Sequence, residues 1–289
     1  MKPIKRFDYC KFTIEQEKNI IKDYQDGESM AKLGKKYGCD PSTIKNILNA
    51  YNIPSRTLSQ ARRLNLDYTI NEQVFEKIDN PDAAYWLGVM YSDGYISENQ
   101  YTNKFGISVQ ASDKEWLEQF KDFLQYNGAI REYQVGSSGY KPGTPYVRLL
   151  IGNNKIVDDL KKLGVVPHKT KKLDKIPDID YKLDFIRGYI DGDGSLLHRL
   201  PIIQISGTKE LLLDIANYLG MPYHLYQDKS IYSLKYNKNQ SEYLEKVLYK
   251  DSKYHLDRKY QIAQRSFNSP LTLEDVKENS LNCGKLLKS

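Results

Sequence analysis

Cysteine is scarce in this 289-residue chain, and its three copies, Cys10, Cys39 and Cys283, stand far apart. Neither a disulfide framework nor a zinc knuckle is expected from that spacing. No run approaches the roughly 20 apolar residues that a membrane helix needs, and Met1–Arg6 lacks the apolar core of a signal peptide. A soluble, cytoplasmic chain is the expectation. The last three quarters also lack net charge, with 30 basic and 30 acidic residues after Leu66. Met1–Leu66 holds 13 Lys and Arg against 7 Asp and Glu, so the whole excess of +6 sits there. A basic module joined to a neutral body suggests attachment to a polyanion, most often nucleic acid. The length is ample for two compact domains, or for one duplicated domain with an appendage.

Within the basic segment, Thr13 precedes an apolar-periodic stretch with Gln16 three residues on, the pattern of a capping box opening a helix through about Tyr24. Asp26-Gly27 stops it. Ser29 caps a second, short helix that presents Met30, Leu33 and Tyr37 on one face and ends at Gly38. Pro41 then opens a third, burying Ile44, Ile47 and Leu48 and leaving Ser42, Thr43, Lys45 and Asn46 outward. Three short helices with a tight glycine turn before the last make a helix-turn-helix, and that outward set suits phosphates and base edges. The segment Phe12–Leu48 resembles the helix-turn-helix of resolvases and transposases. The polar stretch that follows carries Arg56, Arg62 and Arg63 and reads as a linker able to track a nucleic-acid backbone.

One motif occurs twice. Ala84-Tyr85-Trp86-Leu87-Gly88-Val89-Met90-Tyr91-Ser92-Asp93-Gly94 aligns without a gap on Asp184-Phe185-Ile186-Arg187-Gly188-Tyr189-Ile190-Asp191-Gly192-Asp193-Gly194. Each copy reads as a short apolar helix ending in Asp-Gly and entering a strand. Small residues recur every fourth position, Ala84, Gly88 and Ser92 in one copy and Gly188 and Gly192 in the other, so each helix presents a shallow face. Glycine inside a helix costs roughly 1 kcal/mol against alanine, so matched glycines argue for close helix packing that repays it. Such packing brings Asp93 and Asp193 together at one end. Two adjacent carboxylates at helix C-termini disfavour each other and meet the negative end of the dipole, and a hard divalent cation between them relieves both. The backbone carbonyls of Ser92 and Gly192 are candidate further ligands. An EF-hand starting at Asp191 fails, because its twelfth position is Ile202.

Both copies resemble the LAGLIDADG signature of homing endonucleases in their single-chain, two-motif form. The second copy is the closer match; the first departs at Tyr91, where the family pattern has its earlier acid, and keeps the metal-binding acid at Asp93. The resemblance spans about Pro81 to Ala263. It implies a monomer with internal pseudo-twofold symmetry that cuts both strands of a long, asymmetric double-stranded DNA target across the minor groove, leaving short 3′ overhangs, with Mg2+ (or Mn2+) held by Asp93 and Asp193. It also implies basic residues shortly before each half's last helix, for which Lys169 and Lys259 are the candidates, and a polar residue near a water of the metal shell, for which Gln110 is the candidate and Ser206 its opposite number.

The flanks repeat as well. Strand patterns at Phe105–Gln110, Tyr146–Ile151, Ile202–Ser206 and Ser230–Tyr236 alternate with helical patterns at Asp113–Phe120 and Lys209–Ala216. The expected fold is therefore α+β, a pseudo-twofold duplicated αββαββα LAGLIDADG fold forming a DNA-binding saddle, preceded by a small all-α helix-turn-helix domain. The expected divisions are 1–52 for the helix-turn-helix, 53–80 for a linker, 81–175 and 176–268 for the two halves, and 269–289 for a polar tail. A non-cleaving DNA-binding regulator or an RNA intron maturase would use the same covering surface without needing both acids. Gly284–Ser289 carries no His-Asn pair, so an intein is not expected; a free-standing or intron-encoded mobile element is.

Overall fold

The computed structural model describes residues 12–57, 68–98, 103–136, 142–167, 173–228 and 231–278. The chain divides into two compact units, Met1–Tyr68 and Thr69–Ser289.

The first unit contains α1 (Ile14–Gln25), α2 (Met30–Tyr37) and α3 (Pro41–Ala50). Local chemistry sets each start. Thr13 and Gln16 exchange side-chain to backbone hydrogen bonds at 3.2 and 2.9 Å, closing the capping box. Ser29 accepts from the Lys32 amide, and Asp40 from the Ser42 amide just before Pro41. Gly38 stops α2 with φ of +65°. Ile20, Leu33, Ile44 and Leu48 are fully buried in a core shared by the three helices. The unit continues past residue 52. Arg56 donates its amide to the Tyr24 hydroxyl at 2.7 Å and lies 4.0 Å over that ring, while its guanidinium donates to the carbonyls of Gly27 and Glu28 beyond the end of α1.

The second unit repeats one topology. Its first half runs α4 (Pro81–Ser92), β1 (Gly94–Ser97), β2 (Lys104–Gln110), α5 (Lys114–Leu124), β3 (Arg131–Gln134), β4 (Pro145–Gly152) and α6 (Asn154–Lys162). The second half runs α7 (Lys182–Asp193), β5 (Gly194–Leu196), β6 (Ile203–Gly207), α8 (Lys209–Leu219), β7 (His224–Asp228), β8 (Ile231–Lys235) and α9 (Lys238–Tyr249). Both sheets are antiparallel, ordered β1-β2-β4-β3 and β5-β6-β8-β7. Each half is thus αββαββα, as the repeated flanks imply. In β4, Val147, Leu149 and Ile151 are buried while their neighbours are not, so one sheet face packs under helices and the other stays open.

Two margins differ from the sequence reading. The stretch read as a linker is not one piece: Thr69 and Asn71 hydrogen-bond to Asn127 and the carbonyl of Leu124, and Phe75 is fully buried, so residues from Thr69 onward belong to the second unit. The tail is partly folded: α10 (Asp257–Ala263) follows α9, then α11 (Leu273–Glu278) buries Val276, and Lys246 clamps the carbonyls of Ser269 and Leu271. In both places a few apolar side chains among polar neighbours supply the anchor.

Candidate active site at the paired motif helices

Helices α4 and α7 approach backbone to backbone. A Cβ on Gly88 would lie 2.0 Å from the carbonyl oxygen of Phe185, and one on Gly188 would lie 2.0 Å from that of Tyr85. Phe185 and Tyr85 are themselves equivalent positions of the two motif copies, so the contact is reciprocal, as a pseudo-twofold axis requires. One turn further, a Cβ on Gly192 would lie 2.0 Å from Ser92 Oγ and 3.2 Å from Asp93 Oδ2. The Asp93 carboxylate therefore lies against the last turn of α7, whose final residue is Asp193. Asp93 is half-buried and Asp193 exposed. Asp193 also lines a cavity of about 100 Å³ together with Ser92, Tyr189, Ser206 and Thr208. Burial, with the Asp193 carboxylate adding to it, holds the Tyr189 phenol well above its ordinary range, and its hydroxyl donates to the Ser206 carbonyl at 3.0 Å. The donors at this end are oxygen atoms, and the absent side chain of Gly192 lets Ser92 and the Asp93 carboxylate lie against α7, a set of oxygens that suits a hard divalent cation.

Residues 80–164 match the family described as LAGLIDADG-like domain. This stretch is a LAGLIDADG-like domain. Residues 11–52 match the CENP-B N-terminal DNA-binding domain, in keeping with the helix-turn-helix expected there. No curated protein matches the chain by sequence. Similar solved structures include the meganuclease I-SmaMI bound to uncleavable DNA, 13% identical with a TM-score of 0.43 over 70% of this chain and 96% of that one. The LAGLIDADG meganuclease I-AabMI bound to uncleaved DNA is 14% identical with a TM-score of 0.43 over 70% and 96%. I-DmoI in complex with DNA and Ca is 15% identical with a TM-score of 0.44 over 64% and 97%.

Around the paired helices, several expected site residues stand elsewhere than their spacing implied. Lys259 lies on α10, not on a strand or loop before the last helix, and is 2% exposed. Its Nζ donates to the carbonyls of Ile190, Asp191 and Gly194 at 2.6, 2.7 and 2.7 Å. All three ammonium protons thus meet carbonyls at the end of α7 and the start of β5. Burial pulls the Lys259 pKa down to about 8, opposed by the carboxylates of Asp191, Asp93 and Asp193, so its charge lies within electrostatic reach of both acid tips. Lys169, Arg62 and Arg63 lie outside the described residues.

Strand register corrects another pairing. Gly94 faces Ile107 across β1 and β2, and Gly194 faces Ile205 across β5 and β6. Counting from those pairs, the counterpart of Ser206 is Ser108, and that of the exposed Gln110 is Thr208, whose hydroxyl caps α8. Arg56, expected to reach DNA, instead holds the α1–α2 turn, because the face of Tyr24 and two carbonyls absorb its guanidinium. Ser42, Lys45 and Asn46 are exposed on α3 and Thr43 half-buried, the outward set the helical period gave.

The open face of the first sheet of the LAGLIDADG-like domain adds residues that sequence patterning did not single out. Strand pairing places Lys104, Ser108, Arg131, Tyr133, Tyr146 and Arg148 on one side. Arg148 donates to Ser108 at 3.0 Å and lies 5.2 and 5.5 Å over the Tyr133 and Tyr146 rings, so its charge is held on the sheet surface. The alternation of β4 was readable beforehand; which arginines meet across strands was not.

The lowered Lys259 pKa has a measurable consequence. Between about 8 and the ordinary 10.5 the unfolded chain holds a proton that the folded chain has released, so stability rises with pH across that window. Relative to Lys259→Met, the parent protein should gain up to ~3 kcal/mol as pH is raised through it, from the size of the displacement. Paired urea melts in EDTA check this; a difference that does not change with pH rejects it.

Proposed function

We propose that the protein is a site-specific endonuclease that hydrolyses both strands of a duplex DNA target, with a divalent metal, Mg2+ or Mn2+, held by Asp93 and Asp193. The observation that carries this reading is the placement of the Asp93 carboxylate against the last turn of the helix that ends in Asp193. A protein that only binds DNA gains nothing from two acids beside a phosphate backbone, since each repels the other and the ligand. The carbonyls of Ser92 and Gly192 would complete the set. The cation would supply charge neutralisation for the attacking and leaving oxygens. Around it, Lys259 braces the turn that presents Asp193, and the open sheet face bearing Lys104, Arg131 and Arg148 offers cations to the phosphates flanking the cut.

The helix-turn-helix unit would add a second grip through Ser42, Thr43, Lys45 and Asn46. Replacing Lys45 and Asn46 together with Ala should weaken duplex binding by about tenfold or more and lower the slope of log affinity against log salt by about 1. Titrations at several salt concentrations test this; an unaltered slope and affinity remove the unit from DNA contact. The parent protein should cut duplex DNA drawn from the region surrounding its own coding sequence in Mg2+ or Mn2+, and EDTA should stop it. Binding without cutting in either metal rejects the nuclease reading.

A further inference from the structure

The residue two places before each acid tip makes a matched connection in the two halves, with opposite hydrogen-bond polarity. In the second half, Asp191 is 1% exposed. Its Oδ1 accepts from the Tyr249 hydroxyl at 2.7 Å, and its Oδ2 from the Tyr85 hydroxyl at 2.7 Å and the Leu256 amide at 2.9 Å. Tyr249 is the last residue of α9, the final helix of that half. Leu256 precedes α10, and its carbonyl accepts from the Lys259 amide at 2.9 Å. In the first half, Tyr91 donates its hydroxyl to the carbonyl of Leu163, the residue that closes α6, the corresponding final helix. Gly164 follows with φ of +96°, and a Cβ there would lie 2.3 Å from the Tyr91 hydroxyl oxygen. The backbone is thus cleared for the phenol to reach.

A carboxylate buried this deeply is costly without partners, and Asp191 has three donors aimed at it. The first motif's loss of that acid changes the chemistry and keeps the connection: a carboxylate accepts in one half, and a phenol donates in the other. Both bonds end on the close of a half's last helix.

Resting on the endonuclease reading, we propose that Asp191 and Tyr91 are matched positioning residues, each tethering the last helix of its own half to the helix that carries that half's acid, and so setting the cleavage of one strand separately from the other. A protein pseudo-twofold axis laid on a duplex assigns one half to each strand. In the second half the tethered chain continues to Lys259, whose Nζ closes the turn beneath Asp193. Slackening the Tyr91 tether leaves the second half's bonds in place, whereas Asp191 also accepts from Tyr85 of the first half, so Tyr249→Phe is the change confined to the second half's own tether.

The test is strand-resolved cleavage with each strand labelled. Tyr91→Phe should slow the cutting of one strand by about fivefold relative to the other, the effect of one neutral hydrogen bond on a barrier, with DNA affinity and thermal melting close to parental. Asp191→Asn should slow the other strand by about tenfold or more, since a charge-assisted set is lost. Tyr249→Phe removes one donor, keeps the buried carboxylate, and should shift the same strand as Asp191→Asn if that variant folds poorly. Equal slowing of both strands, no slowing, or slowing that tracks weaker binding overturns the inference. If the parent cuts neither strand, the nuclease reading falls, and the tether is judged on the protein alone. Acetic anhydride should then label Lys259 Nζ faster in Tyr249→Phe than in the parent and no faster in Tyr91→Phe, and equal labelling of all three overturns it.

Discussion

Replacing either Asp93 or Asp193 with Asn is expected to lower cleavage on the order of a thousandfold or more while duplex affinity holds or tightens, because the change removes a metal-binding charge and a repulsion toward phosphate together. The two effects pull apart only if the acids do chemistry. Were they structural, Asn would weaken folding and binding in parallel. Asp193 is exposed and Asp93 half-buried, so neither change should disturb the core. Cleavage in Mg2+ beside filter-binding affinities decides the matter: variants that cut at the parental rate remove both aspartates from the mechanism.

The second large effect lies in the helix interface. Ala is preferred to Gly inside a helix by roughly 1 kcal/mol, so Gly88→Ala and Gly188→Ala would stabilise if propensity ruled. Each new Cβ would instead meet a backbone carbonyl oxygen at 2.0 Å, and backbone cannot step aside as a side chain end can. Forcing the helices apart costs packing along their whole length, so a net loss of about 2–4 kcal/mol is expected for each. The double variant should lose less than the sum, since the first substitution already opens the gap the second needs. Urea midpoints of the three variants measure this; a stabilised Gly188→Ala would mean the helices do not touch at that glycine.

Much of the fold was legible because its signals are local. A capping box at Thr13 and Gln16, a proline opening α3, and the two-residue alternation of β4 depend only on near neighbours. Duplication made the acid-bearing end of the paired helices readable too: one Asp-Gly reads as a turn, whereas two in the same helical frame, each preceded by glycine at the same place, imply a shared packing face.

What escaped depends on where distant segments come to rest. Lys259 reads as any lysine until α10 turns it under α7. Arg56 reads as a phosphate ligand until Tyr24 covers it. Ser206 stood in for Gln110 because both end strands, and only the pairing of Gly94 with Ile107 and Gly194 with Ile205 shows that Thr208 is the equivalent position. Phe75 had no periodic neighbours to announce that its stretch was anchored.

The sequence by itself determined the duplication, the glycine-bearing helices with their acid tips, and the capped helices of the N-terminal unit, because periodicity, capping and repetition act over a few residues or by direct copying. Tertiary structure alone decided which cations close which carbonyls, which strand positions are partners, and how Asp191 and Tyr91 join the ends of their halves. The bonds of Asp191 and Tyr91 link residues 58 to 106 positions apart, within each half and across the halves, and no local propensity encodes a bond whose partner is brought near only by folding.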